Sequence, residues 1–416
     1  MTARWVWLGA GVALAVGLAV TQATAQVAAP LGATVDGLLA AGRSLSPALR
    51  AAALDTEAAS AKASGADVLD DPTITDSYSY YKDPNVFSAH TLMLTQAFPL
   101  WGKRGLRRQA ATAEVNASRG REMAARDELD EKVKIAFAQY YLTARDLAVN
   151  REVAGLARRM NAAASARYGQ GGGDLVAVIQ ALGEATTAKT DAARLVGEHE
   201  AARARLNVLI GRRADAPLAG PLRARTVPAA MPALDVLVGR ARAANPTLAA
   251  STATIDAART RSTLADKAWY PDVTVGAGPL IQTNDRPVGF AATVGLNIPL
   301  PWGRQASGQR EATAQLGASQ QRYDAVRLEI EGALAEAMAK LGGARATEML
   351  LRDEAMPQAH AAFQTILANY SQGRGDLTGA ITAEHQMHDV ELRLLQAQLD
   401  EQVDLAAIER LIGGDL

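Results

Sequence analysis

The residues of this chain with the clearest capacity for chemistry are its five histidines. Two of them, His385 and His388, stand three positions apart, so a helix would place both on one face. Glu384 and Met387 lie beside them, and side chains of these types bind transition metals. An exposed polar helix face explains the same residues equally well, and no second histidine or methionine cluster accompanies them. The sequence therefore predicts no resident metal. His385, Met387 and His388 are the candidates for ligands if a metal binds.

A glycine cluster at 171–173 is the second stretch that resembles a functional motif, namely a phosphate-binding loop. It lacks the Lys-Ser/Thr pair that such a loop needs. No nucleophile elbow or zinc-protease motif occurs, and no histidine has catalytic spacing. The formal net charge is −1, from 43 basic and 44 acidic side chains. The chain therefore has no excess of positive charge that would attract nucleic acid. We therefore expect neither an enzyme nor a nucleic-acid-binding protein, and no cofactor.

The N-terminal residues predict export. Arg4 precedes an apolar run at 6–20 that ends in small residues at 23–25, the order found in secretory signal peptides. The run has about 15 residues, against the roughly 20 that a spanning helix needs. We expect residues 1–25 to be removed, and a chain without cysteine carries no lipobox lipid. Beyond them no comparable apolar run follows, so any membrane-spanning part must consist of strands.

An internal repeat organises the rest of the chain, because the same unusual residues occur twice, about 200 positions apart. Pro-Leu-Trp-Gly at 99–102 returns as Pro-Leu-Pro-Trp-Gly at 299–303. Tyr168 opens a Tyr-Gly-Gln-Gly turn, and Tyr370 opens a Tyr-Ser-Gln-Gly turn. The pattern predicts a first repeat at 26–216, a proline-rich link at 217–233 and a second repeat at 234–416.

Each repeat is predicted to open with one helix and to close with one very long helix and a shorter returning helix. No proline occurs between Pro99 and Pro217, and the strongest break between them is the glycine cluster. A helix from 103 to 168 would be about 100 Å long, far beyond the average of compact domains. Its apolar residues recur with helical spacing, which indicates packing against partner helices.

Two strands are predicted ahead of each long helix. Apolar residues at 288–298 alternate with small or polar ones, as in the strands of a membrane barrel. Trp269 and Tyr270 stand where an interfacial aromatic girdle is expected. Surface hairpins of a soluble protein are the alternative. The four strands are predicted at 73–80, 88–98, 273–281 and 288–298.

Four strands are too few to close a barrel, and an open edge in lipid leaves backbone groups unsatisfied at several kcal/mol each. A cyclic oligomer closes both a sheet and a ring of helices through one type of interface. The sequence therefore predicts an oligomer that is mostly α-helical, with a membrane β-barrel portion.

The duplicated order of Tyr-x-x-Gly turns, hairpins and long helices resembles the TolC outer-membrane efflux family over essentially the whole mature chain. The segments at 98–105 and 408–416, with the Tyr168 turn, look most like its heavy-metal branch of CusC and CzcC type. The resemblance implies a homotrimer, in which four strands per protomer contribute to a twelve-stranded outer-membrane barrel surrounded by lipid. The duplicated helical hairpins would continue it as a long α-barrel in the periplasm.

The same resemblance implies a passive duct to the exterior, supplied by a periplasmic adaptor and an inner-membrane resistance-nodulation-division (RND) pump. Heavy-metal cations are the expected cargo. A multidrug efflux channel, a type I secretion channel, a periplasmic coiled-coil adaptor and an exported enzyme on a helical scaffold are the alternatives.

By family analogy, the two Tyr-x-x-Gly turns lie at the periplasmic tip, where the duct narrows and the adaptor docks. Asp174 and Asp376 are also placed to cap the returning helices, and capping alone would explain them. The acidic positions of the family's constriction correspond here to Gly379 and Thr382, so Asp376 and Glu384 are the candidates for an acidic ring. The predicted docking residues are Tyr168, Gly171, Asp174, Tyr370, Gly373, Arg374 and Asp376.

Overall fold

The computed structural model describes residues 31–80, 88–220, 222–282, 287–372 and 374–416. The predicted signal peptide, the predicted docking residue Gly373 and residues 283–286 lie outside these ranges. The described part is mostly α-helical and contains a four-stranded antiparallel sheet, which confirms the predicted fold class. Among the described helices, none combines the length and the apolar character needed to cross a membrane.

Both halves follow one order of elements. The first half contains α1 (Val35–Leu45), α2 (Pro47–Gly65), β1 (Thr73–Ser79), β2 (Ala89–Phe98), α3 (Lys103–Gly169) and α4 (Leu175–Leu209). The second half contains α5 (Leu234–Ala244), α6 (Pro246–Asp266), β3 (Asp272–Gln282), β4 (Gly289–Asn297), α7 (Arg304–Leu350), a π-helical segment (Leu351–Ala355), α8 (Met356–Ser371) and α9 (Leu377–Ile412).

The opening helix of each half, expected as one, is two helices that meet at a proline. Ser46 before Pro47 and Asn245 before Pro246 have ψ angles of 122° and 120°. A proline ring disfavours the α conformation in the residue before it and has no N–H to continue the helix. The Asn245 side chain then caps α6 by accepting two of its backbone N–H groups.

One uninterrupted long helix was predicted in each half, and the structure shows such a helix only in the first half. Helix α3 runs uninterrupted for 67 residues. In the second half, the π-helical segment separates α7 from α8, and Pro357 lies in the first turn of α8. Pro357 has no N–H to donate to the carbonyl four residues earlier, which accounts for the widened turn.

The sheet has the strand order β1-β2-β3-β4, and its bounds agree with the predicted ones to within one residue at each end. Its central pair joins the two halves, since β2 pairs with β3 from Phe98 opposite Val273 to Ala89 opposite Gln282. Within the described chain, β1 and β4 are therefore edges, each with one unpaired side.

Each half has its own hydrophobic core, formed by its opening, long and returning helices. In the first half, Leu38, Val133 and Leu206 are fully buried together. The duplicated core of the second half buries Leu237, Leu334 and Ile408. The apolar spacing read from the long helices is thus the face that packs inside each half.

The halves also pack directly against each other, through α3 and α6. A Cβ added to Gly120 of α3 would lie 2.7 Å from the Cβ of Ala250 on α6, closer than real Cβ atoms approach. Ala253 and Ala257 continue the buried face of α6. Small side chains let the two backbones come close, which increases the number of dispersion contacts between them.

Candidate functional site

Two chain reversals lie side by side at one end of the long helices. Met160 and Ala164 of α3 and Ala181 of α4 share a hydrophobic cluster with Tyr370 and Leu377. We call this unit the tip; it comprises residues 160–181 and 366–381, Gly373 excepted.

One side chain ties the two turns of the tip together. Nη1 of Arg167 donates to the carbonyl oxygen of Tyr370 at 3.2 Å, and its guanidinium lies 5.3 Å from the centre of the Tyr370 ring. The structure thus brings the two predicted turns together. Their role in adaptor docking stays a prediction.

The first turn of the tip requires glycine at two positions. Gly171 has a φ of +76°, in the left-handed region that glycine tolerates best. A Cβ on Gly173 would lie 2.7 Å from the backbone nitrogen of Tyr168. The close backbone contact therefore leaves no room for a larger residue at position 173. The backbone geometry thus accounts for Gly171 and Gly173, and no bound phosphate is needed to explain them.

Both predicted aspartates cap the returning helices. The carboxylate of Asp174 accepts the N–H of Val176 at 3.0 Å, and that of Asp376 accepts the N–H of Gly379 at 3.2 Å. Each carboxylate thus satisfies a backbone donor that the helix itself leaves free. Capping accounts for both residues, and the constriction assigned to Asp376 stays a prediction.

The two turns differ in what they expose. The side chain of Tyr168 is 48% exposed, whereas that of Tyr370 is 7% exposed. Arg374 is also exposed. On α9, Leu377 is buried against the first half, but its counterpart Leu175 on α4 is half exposed. An uncovered apolar face results, which we call the α4 stripe; it consists of Leu175, Val176, Ile179 and Leu182.

Behind the tip, three ionisable side chains converge between α4 and α9. Nε2 of His385 lies 2.8 Å from Oε1 of Glu184 and 3.7 Å from Oε2 of Glu384. One ligand atom from each of the three residues lies within 4.8 Å of the others. Glu184, 201 positions before His385, was missed by sequence reasoning, because the two residues are not equivalent positions of the repeat.

Burial sets the electrostatics of this cluster. Glu384 is 3% exposed, and within the described chain its Oε1 has no hydrogen-bond partner. Burial, with a smaller contribution from Glu184, raises the pKa of the Glu384 carboxyl. The hydrogen bond to Glu184 raises the pKa of His385.

Of the other predicted metal candidates, His388 and Met387 are half buried, and His388 is not a member of this group. The position of Glu384 inside the helix packing leaves its predicted constriction role untested.

At the opposite end of the long helices, a junction fixes β3 to α3. Nζ of Lys103 donates to the carbonyl oxygen of Tyr270 and to the carboxylate of Asp272, each at 2.8 Å. Nε1 of Trp101 donates to the carbonyl oxygen of Pro271 at 2.6 Å. The rings of Trp101 and Tyr270 are 5.3 Å apart, so aromatic residues gather where the strands meet the helices.

The second-half counterparts of this junction have no such partners within the described chain. Trp302, the counterpart of Trp101, is 86% exposed. Arg304, the counterpart of Lys103, is exposed as well. The contacts of this junction are therefore made where β2 meets β3. The corresponding residues at the β4 edge make no such contacts within the described chain.

One face of the sheet is mostly apolar and exposed, although Asp76, His90 and Gln96 also lie on it. Along β4, Phe290, Val294 and Leu296 point to this face with 76%, 77% and 56% exposure. The alternate positions hold small or polar residues such as Gly295 and Asn297. The face continues over the other strands with Ile74, Tyr78, Leu94 and Val275.

Comparison with known proteins gives a family and a fold. The family model described as outer membrane efflux protein matches residues 38–212 and 237–414, ranges that fall within the two predicted repeats. In sequence, the chain is 25% identical over 170 residues to the cobalt-zinc-cadmium resistance protein CzcC of Cupriavidus metallidurans. That alignment covers 41% of the chain and 40% of the relative's length.

Solved structures resemble the chain over nearly its whole length. The outer membrane protein VceC of Vibrio cholerae is 20% identical, with a TM-score of 0.78 over 92% of this chain and 96% of that one. CusC, described in terms of transmembrane channel formation, is 19% identical, with a TM-score of 0.77 over 91% of this chain and 92% of that one. At such identities the likeness shows a shared fold.

Proposed function

Because the chain belongs to the outer membrane efflux protein family, we propose that it forms the outer-membrane channel of a tripartite efflux system. Three copies form a closed channel, whose sheet lies in the outer membrane and whose helices extend into the periplasm. Substrate passes through it without catalysis, because an inner-membrane RND pump supplies the energy and a periplasmic adaptor joins the pump to the tip.

The observation that carries this proposal is the combination of an open sheet with an exposed apolar face. Both edge strands, β1 and β4, have unpaired backbone groups, which cost several kcal/mol each in lipid. Pairing β4 of one copy with β1 of the next removes the edges and keeps the apolar face on the outside. With four strands per copy, three copies give twelve strands.

The internal repeat supports a specific interface between copies. Within the chain, Phe98 lies opposite Val273, and the repeat relates these residues to Ile298 and Ile74. If the pairing of β2 with β3 is repeated between copies, Trp302 and Arg304 of one copy lie beside the segment that precedes β1 in the next copy. That segment includes Asp71, which is exposed. Its carboxylate would pair with the guanidinium of Arg304, which has no ion-pair partner within the described chain.

The helices support the same arrangement. Helix α3 of the first half contacts α6 and α9 of the second, so the repeat predicts that α7 contacts α2 and α4 of the next copy. Large apolar side chains are exposed on these very helices, and burial between copies would remove them from water. They include Leu54 on α2, Val196 and Val208 on α4, and Leu328 and Met349 on α7.

The cargo proposed here is a heavy-metal cation. The support is the similarity to CzcC, whose name gives cobalt, zinc and cadmium resistance. Organic drugs and secreted polypeptides are the alternative cargoes. A strain that lacks its own outer-membrane channel and carries this chain with a cognate pump and adaptor tests the choice: restored growth in cobalt or zinc, without restored growth in detergents or dyes, supports the metal.

The channel itself is tested by the mass and the conductance of the protein extracted from outer membranes in detergent. The expected result is a trimer that gives stepwise single-channel currents in a planar bilayer. A heat-dissociated sample, which should conduct nothing, is the control. A water-soluble monomer without conductance would refute the proposal and favour a periplasmic adaptor.

A further inference from the structure

Two carboxylates and an imidazole from different halves of the chain meet between the returning helices, about 10 Å along α9 from its first residue. Glu184 comes from α4, while Glu384 and His385 come from α9. We propose that these three residues bind one divalent first-row transition cation, such as Zn²⁺ or Co²⁺. The inference goes beyond the proposed function, because a passive channel requires no bound cation.

The distances are close to those of a metal site. Ligand atoms about 2.0 to 2.1 Å from a tetrahedral cation lie about 3.3 Å from one another. Here Nε2 of His385 is 2.8 Å from Glu184 and 3.7 Å from Glu384, and the whole set spans no more than 4.8 Å. Small rotations of the side chains would therefore bring all three atoms to bonding positions.

The buried, unpartnered oxygen of Glu384 is the second observation that points to a bound cation. Its side chain is 96% buried, as its 4% exposure shows, and within the described chain Oε1 accepts no hydrogen bond. A buried carboxylate without a full set of partners is costly. A cation bound by both oxygens of the Glu384 carboxylate would balance its charge and occupy the lone pair of Oε1.

The types of ligand select the class of cation. One imidazole and two carboxylates suit Zn²⁺, Co²⁺ and related ions, whereas Ca²⁺ and Mg²⁺ prefer oxygen ligands alone. The three residues leave at least one position for water. His385 is the accessible member, since 56% of its side chain is exposed, so a cation can enter without the helices separating.

A bound cation would join α4 to α9, and hence the first half of the chain to the second. Binding to the folded state alone stabilises that state in proportion to the logarithm of cation concentration. Cation binding and a rise in melting temperature should therefore occur together.

The test uses the full chain, purified in detergent and treated with a chelator. Co²⁺ is added while its visible absorption is recorded, and Zn²⁺ binding is measured by calorimetry beside the melting temperature. The expected result is one cation per chain and a higher melting temperature. In the variants His385→Gln, Glu184→Gln and Glu384→Gln, the affinity should fall at least about tenfold.

His360→Gln is the matched control, because His360 is exposed on α8 outside the cluster, and it should bind as the parent chain does. Since His385 is exposed, its variant keeps the test valid even if Glu384→Gln folds poorly. Unchanged binding by His385→Gln, or displacement of Co²⁺ by an equal concentration of Ca²⁺, would overturn the site. A conducting trimer that binds no cation would reject this inference alone.

Discussion

Nζ of Lys103, at the start of the first long helix, donates to both carboxylate oxygens of Asp272, at the start of β3, each at 2.8 Å. Its third bond goes to the carbonyl oxygen of Tyr270, so the ammonium group uses all three donors. The Lys103 side chain is 8% exposed and that of Asp272 is 31% exposed. This pair holds the sheet of one half on the helix of the other.

Replacing Lys103 by alanine should destabilise the protein by about 3 kcal/mol, because it leaves the partly buried Asp272 carboxylate without its positive partner, with only the N–H of Leu100 as a donor. Chemical denaturation followed by circular dichroism measures the change. Lys132→Ala is the control, since Lys132 forms an exposed pair with Glu128 on one helix and should change stability by less than about 0.5 kcal/mol. Equal effects of the two variants would contradict the role of the junction.

The register proposed between copies predicts a specific cross-link. If Ile298 of one copy lies opposite Ile74 of the next, Gly295 lies opposite Ser77 on the same face. The chain has no cysteine, so the pair Gly295→Cys and Ser77→Cys should form a covalent trimer on mild oxidation, seen on a denaturing gel.

Gly295→Cys with Tyr78→Cys is the control pair, because Tyr78 points to the opposite face of β1 and its Cβ cannot meet that of residue 295. Efficient cross-linking of the control pair, with none of the first, would show a register shifted by one residue.

Gly120→Ala should destabilise the contact between halves. The new Cβ would meet Ala250 at 2.7 Å, so α3 and α6 must move apart, at a cost of about 1 to 3 kcal/mol. Gly332→Ala on α7 is the matched control, because a Cβ there meets nothing within 4 Å. There the gain in helix propensity should stabilise the protein by up to about 1 kcal/mol. Melting temperatures should thus shift in opposite directions.

The Glu401 carboxyl should make stability rise in mild acid. Burial, then the neighbouring Glu348, raises its pKa, while Arg345 and Arg352 lower it. The folded state therefore holds the proton more tightly than the unfolded state. Stability increases as pH falls through the folded pKa and levels off below the unfolded value of about 4.3.

Melting curves between pH 8 and pH 4 measure this effect. Glu401→Gln should flatten the rise, since glutamine does not titrate. Glu336→Gln is a control of opposite sign, because the hydrogen bond from Lys340 lowers the pKa of Glu336. Glu336 therefore contributes stability above its unfolded pKa and loses that contribution as pH falls. A parent curve and a Glu401→Gln curve of the same slope would contradict the assignment.

Much of the fold could be predicted from the sequence, because the alternation of residues in the strands and the length free of proline in α3 are strong local patterns. The caps at Asp174 and Asp376 could be predicted for the same reason, since an N-cap needs one side chain and its own helix. The breaks at Pro47 and Pro357 were missed, although the prolines themselves are visible in the sequence. The similarity of the halves suggested equal helices where a single proline changes the turn.

The cluster of Glu184, Glu384 and His385 could be predicted only in part. His385 and Glu384 are recognisable as neighbours in the sequence, but the burial of Glu384 depends on which face of α9 turns toward α4. A single sequence does not specify that rotation for helices whose apolar stripes are weak. The repeat gave no signal for Glu184 either, because Glu184 and His385 are not equivalent positions of the two halves.

The π-helical segment at Leu351–Ala355 makes the two halves mechanically unlike. None of its residues is buried, and Pro357 removes one of the hydrogen bonds that would stiffen the turn. We expect the uninterrupted 67-residue α3 to resist a sideways load applied at the tip, and we expect the helix formed by α7 and α8 to bend at this segment. In the proposed trimer, helices that resist bending and helices that bend would therefore alternate around the ring.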